Sequence, residues 1–183
     1  MPRTDQFAGF EFDWPGVDLH GHVAVFISWG WGPLPAGVDQ HLDEVDAAME
    51  RIQELPAIGP PSHDLHDARA RSVFYDEYAT KGFYVYHWDG AGAHDESRRY
   101  TRYIAPHVLI NVSRLPTELQ AVAHFAEFTV TFADAREITI ESLESPARSG
   151  GDRGISAAYL VQARSPLHNP ATPWSVDETT CCS

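Results

Sequence analysis

Phe10-Glu11-Phe12-Asp13-Trp14-Pro15-Gly16-Val17-Asp18-Leu19-His20-Gly21-His22-Val23-Ala24-Val25-Phe26 leads straight into Ile27-Ser28-Trp29-Gly30-Trp31-Gly32-Pro33-Leu34-Pro35. Residues 8–13 alternate apolar and polar side chains, which is the period of a half-buried strand. Residues 22–28 form a short β-rich apolar run, expected in the interior of a sheet. Between them, Pro15-Gly16 and Gly21 supply turn chemistry. The Trp/Gly/Pro run that follows reads as a stiff loop before an acidic helix.

That helix is predicted from Val38 to Leu55. Val38, Leu42, Val45, Met49 and Ile52 recur at spacings of four and three, so they share one face. Asp39 is placed to cap its start and Pro56 to end it. A second helix is expected from Ser62 to about Ala79, stopped at Lys81-Gly82. Gly82 to Trp88 reads as an aromatic strand, with a turn at Asp89-Gly90-Ala91-Gly92. Arg99–Ile104 and His107–Val112 are expected as two strands separated by Ala105-Pro106. Pro116 opens a short helix over Thr117–Phe125. Phe128–Phe132 and Glu137–Glu141 alternate and suggest a hairpin around Ala133-Asp134-Ala135.

These elements predict an α+β protein, a mostly antiparallel sheet of about six or seven strands packed by about three helices. The expected organisation is one globular domain over residues 1–145 and an irregular Pro/Gly-rich C-terminal tail over 146–183. A chain of 183 residues is long enough for one substantial core. No apolar run approaches the roughly 20 residues that span a bilayer, and the N-terminus lacks a signal-like stretch. A cytoplasmic protein without membrane association is expected.

Charge narrows the partners. Lys and Arg number 13 against 26 Asp and Glu, a formal net charge of −13 that repels nucleic acid and attracts basic proteins. Asp39, Asp43, Asp46 and Glu50 recur at spacings of four, three and four, on one stripe of the acidic helix. Like charges so placed disfavour the helix by a few tenths of a kcal/mol per pair, which points to use as a docking face; a merely solvated face is the alternative. Trp29 or Trp31, in a stiff loop, suits an interface anchor, because little entropy is lost on binding; core packing beneath the first helix is the alternative, favoured for one of the two.

Signs of catalysis are sparse. HExxH, GxSxG, P-loop and GxGxxG patterns are absent, and no cofactor is expected. His63, His66 and Asp67 form a His/Asp cluster, short of the ligands that a zinc site needs without a remote contributor. A small metal-dependent hydrolase built on them is the rival reading, and a structural or assembly protein the third. Cys181 and Cys182 are adjacent near the end and cannot staple distant segments.

The pattern Phe12-Asp13-Trp14, Asp18, Gly21-His22-Val23-Ala24-Val25-Phe26, Gly30 and Gly32-Pro33-Leu34-Pro35 resembles the opening of small bacterial immunity proteins from polymorphic-toxin or contact-dependent inhibition systems. Ile110-Asn111-Val112, Leu115-Pro116, Phe125 and Phe128 are compatible with it. The resemblance covers the first 35 residues best, and the tail departs from it. It implies a non-enzymatic inhibitor of a cognate, basic protein toxin; the contact face expected from the residues themselves is Asp39, Asp43, Asp46 and Glu50 with Trp29 or Trp31 as anchor. It transfers no catalytic residue. Toxin identity and oligomeric state do not follow from it.

Overall fold

Every residue of β2 (Val23–Ile27) is buried, as its unbroken apolar run requires of a strand covered on both faces. The computed structural model describes residues 11–62, 73–90 and 99–139. Around β2 these form one α+β domain with a curled, mostly antiparallel sheet. The strands run in the order β1 (Asp13–Val17), β2, β4 (Tyr84–Trp88), β5 (Arg99–Pro106), β3 (Pro61–Ser62), and β6 (Glu137–Thr139) also pairs with β5. Among the described strands only β2 and β4 pair in parallel, with Phe26 opposite Tyr86 and Ile27 opposite His87. The helices are α1 (Ala36–Asp39), α2 (Leu42–Glu54), α3 (Val73–Thr80) and α4 (Thr117–Ala123).

One sheet face is aromatic. Phe26 stacks on Trp14 with ring centroids 4.2 Å apart and on Tyr86 at 5.1 Å. Tyr100 meets Phe26 edge-on at 5.4 Å. Phe128 and Phe132 close this layer from an irregular segment after α4. The Tyr86 hydroxyl donates to the carbonyls of Phe132 and Ala135, and Arg102 donates to those of Phe132 and Ala133. Side chains from the sheet thus satisfy the carbonyls of Phe132, Ala133 and Ala135, while the Phe128 N–H donates to Val17 and the Val130 carbonyl accepts from Leu19. Residues 128–132 are therefore not the predicted strand, and the predicted hairpin is not formed. Burial takes Phe128 and Phe132 into the core without extended pairing.

Asp18 fixes the first turn. Its carboxylate, 5% exposed as a residue, accepts the backbone N–H of His20 at 2.9 Å, His22 at 2.8 Å and Phe132 at 2.9 Å. Gly21 completes the turn at φ +80, a left-handed conformation that glycine enters without steric penalty. Asn111 donates to the His20 carbonyl, and the Val112 N–H donates to Gly21. This clasp explains why His107–Val112 is not the expected strand. The segment is spent holding the turn, and a 3-10 turn (Val112–Arg114), capped by Asn111, follows.

Three further expectations shift. The first strand is Asp13–Val17, not 8–13, so Pro15-Gly16 lies within it; residues 8–10 lie outside the described residues. Pro15 is tolerated there because β1 is an edge strand. A Cβ on Gly16 would stand 2.8 Å from the Phe128 ring, so close packing, not a turn, selects glycine. The predicted helix 38–55 breaks at Gln40-His41 into α1 and α2, and Asp39 does not cap α2. The His41 ring stacks on Phe125 at 4.3 Å, and that contact holds the break. Ser62 lies in β3 opposite Ala105, the start of the predicted second helix falls at 63–72 outside the described residues, and Ala105-Pro106 continues β5 instead of ending it. α4 and the stop at Gly82 (φ +93) match the sequence reading. Lys81 is buried there, donating at 2.7 Å both to the Gln53 carbonyl and to Glu77, so it ties the end of α2 to α3.

Candidate functional site

The carboxyl ends of the parallel pair β2 and β4 lie side by side, because Ile27 is opposite His87. Such ends gather loops from neighbouring elements and are frequent places for binding in α/β sheets. Here β2 runs into Ser28-Trp29-Gly30-Trp31 and β4 into Asp89-Gly90.

The tryptophan loop is tightly closed. The N–H groups of Trp31 and Gly32 both donate to the Ser28 carbonyl, at 3.0 and 2.7 Å. Ser28 Oγ accepts from the Phe12 N–H at 2.8 Å, and the Tyr100 hydroxyl donates to the Pro33 carbonyl at 3.1 Å. A side chain on Gly32 would collide with that hydroxyl. The closure holds Trp29 at φ 46, the one described non-glycine residue with positive φ. Such a conformation costs about 1 kcal/mol or more, and the surrounding bonds impose it. Trp29 is 63% exposed and Trp31 43%. Both indoles are therefore exposed on a loop whose backbone is closed.

Behind Trp29 stands a residue the sequence reading passed over. His87 is 2% exposed, and its ring lies 4.7 Å from Trp29, 4.9 Å from Tyr103 and 5.6 Å from Tyr75 between centroids. Its Nδ1 is 3.6 Å from Asp89 Oδ1, too far for a hydrogen bond. The Tyr103 hydroxyl donates to that same oxygen. Burial pushes the His87 pKa below its ordinary value, against the opposing pull of Asp89, which keeps the imidazole neutral. Burial also raises the Tyr75 phenol, and Asp13, Glu11 and Asp89 raise it further, so the potential around the cluster is negative. A lone histidine inside the aromatic run Tyr84–Trp88, followed by Asp-Gly, was the available signal.

His87 gives stability a pH dependence of defined sign. The unfolded chain binds a proton at His87 near the ordinary value of about 6.5, whereas the folded chain resists it. Stability is expected to fall as pH drops below about 6.5, with a slope of at most about 1.4 kcal/mol per pH unit from this group. Chemical denaturation between neutral and mildly acidic pH, compared with His87→Gln, measures it. An identical pH profile for the variant would rule out His87 as the source.

Of the acidic residues singled out in the sequence, Asp43, Asp46 and Glu50 lie exposed on α2. Asp39 is half-buried and belongs to the separate helix α1, so the four do not form one continuous helical stripe. Glu44 and Glu54 are also exposed; Glu44 approaches His41, and Arg51 bridges Glu54 and Glu118. His63, His66 and Asp67, and the tail 146–183 with Cys181 and Cys182, lie outside the described residues. Among the described residues no group of three or more His, Cys, Asp or Glu is arranged to hold a metal, and no helix is long and apolar enough to cross a membrane.

No protein-family model matches this sequence, and no curated protein or solved structure shows significant similarity to it.

Proposed function

We propose that this chain is a non-catalytic, cytoplasmic binding protein of the immunity type, which neutralises a basic protein toxin by occupying it. The observation that carries the reading is Trp29: an indole 63% exposed, on a loop closed by backbone bonds and held at φ 46. An exposed aromatic that is already ordered loses little entropy on binding, which suits an anchor. The net charge of −13 and the exposed carboxylates of α2 supply the long-range part, drawing a cationic partner in and raising the association rate. Steering acts through the whole field, so the helix and the loop need not be contiguous.

The test is direct binding to the product of the neighbouring gene, by surface-based kinetics at two ionic strengths. Trp29→Ala should raise Kd by about tenfold, mainly through faster dissociation. Joint replacement of Asp39, Asp43, Asp46 and Glu50 by Asn and Gln should slow association and flatten its salt dependence. Unchanged kinetics in both variants, with folding intact, would overturn the reading.

A further inference from the structure

We propose that the outward face of the Trp29 indole and the Asp89 carboxylate form a subsite for one arginine side chain of a protein partner. The inference rests on the binding role proposed above and names the chemistry it recognises. Trp29 meets His87 in a T-shaped contact, at 4.7 Å and 72° between rings, and remains 63% exposed. Asp89 follows His87 by two residues and stays within 3.6 Å of it, so the carboxylate and the indole share the same neighbour. Its side chain is 46% exposed. Among the described residues, its contacts with Tyr103 and toward His87 both use Oδ1, and Oδ2 is the oxygen for an incoming donor.

An exposed indole and a carboxylate that both approach one histidine select a cation. A guanidinium fits better than an ammonium, because it is planar, stacks on indole, is less strongly hydrated and presents paired N–H donors to a carboxylate. A nucleotide base also stacks on tryptophan, but its phosphate meets a chain of net charge −13 and the local field of Glu11, Asp13 and Asp89. Because Tyr103 and the closed loop already order Asp89 and Trp29, the pair is set before the partner arrives.

Three short capped peptides, Gly-Arg-Gly, Gly-Lys-Gly and Gly-citrulline-Gly, are titrated into the full chain while the indole N–H signal of Trp29 is followed by NMR. Trp29→Phe identifies that signal. The arginine peptide should shift the Trp29 indole and the Asp89 amide, with a Kd on the order of millimolar. Citrulline, which keeps the shape and loses the charge, should leave both in place, and lysine should bind several-fold more weakly. Asp89→Asn, which still accepts from Tyr103, should weaken arginine binding several-fold while the rest of the spectrum is retained. Equal shifts with citrulline, equal affinity for lysine, or no response at Trp29 would each overturn the subsite. Arginine replacement in the toxin separates the two proposals. If toxin binding needs Trp29 but no toxin arginine, the subsite fails and the binding role stands. If the toxin does not bind while the arginine peptide does, the binding role fails and the subsite stands.

Discussion

Asp18→Ala is expected to destabilise the protein by about 3 kcal/mol or more, lowering the midpoint of thermal unfolding by about 10 °C. The carboxylate accepts three backbone N–H groups, from His20, His22 and Phe132, in a residue only 5% exposed. Hydrogen bonds to a carboxylate are stronger than neutral ones, and deletion leaves the buried Phe132 N–H without a partner and away from water. Two separate pieces loosen together, since His20 and His22 belong to the β1–β2 turn and Phe132 lies 114 residues away. Asp18→Asn should fall between wild type and alanine, because it keeps one acceptor oxygen. Circular dichroism during thermal and urea unfolding measures both. A loss below about 0.5 kcal/mol for the alanine variant, the ordinary range for surface changes, would mean that the clasp does not hold the fold.

Phe26→Ala is expected to have a similar or larger effect, about 3–5 kcal/mol. The ring is fully buried and contacts five aromatic rings, those of Trp14, Tyr86, Tyr100, Phe128 and Phe132, with centroids between 4.2 and 6.0 Å. Its removal leaves a cavity that this rigid layer cannot easily collapse, and it forfeits stacking beyond area burial. Near-ultraviolet circular dichroism should lose intensity while far-ultraviolet signal at low temperature persists. The two substitutions share Phe132, whose N–H bonds Asp18 and whose ring meets Phe26. Their combined effect is therefore expected to differ from the sum by at least about 0.5 kcal/mol. Strict additivity would show that the Phe132 segment is held by other contacts.

The parts of the fold legible in the sequence are those whose cause is local. Val23–Ile27 and Tyr84–Trp88 are buried strands because their runs leave no polar side to face water. Gly82 ends a helix because its left-handed backbone favours glycine, and Pro116 opens one because its fixed φ suits a helix start. For α2 the apolar spacing is right: Val45, Met49 and Ile52 are buried, and Asp43, Asp46 and Glu50 face outward. The stiff Trp29–Trp31 loop is legible in its Gly/Pro pattern, whereas the exposure of both indoles is a finding of the structure.

What failed to show in the sequence depends on partners far along the chain. Pro15-Gly16 looks like a turn until Phe128 is packed against Gly16. Gln40-His41 looks helical until Phe125 stacks on the imidazole. Phe128–Phe132 alternates like a strand, yet side chains from Tyr86, Arg102 and Asp18 take up the backbone groups of Phe132, and only an isolated bridge joins the segment to Val17. The sequence by itself determined the α+β class, the buried central strands, the acidic outer face of α2 and the tryptophan loop, since composition and periodicity act within a few residues. Only the tertiary structure decided that His87, Asp89, Tyr75 and Tyr103 gather behind Trp29, because the parallel pairing of β2 with β4 brings together residues about sixty positions apart.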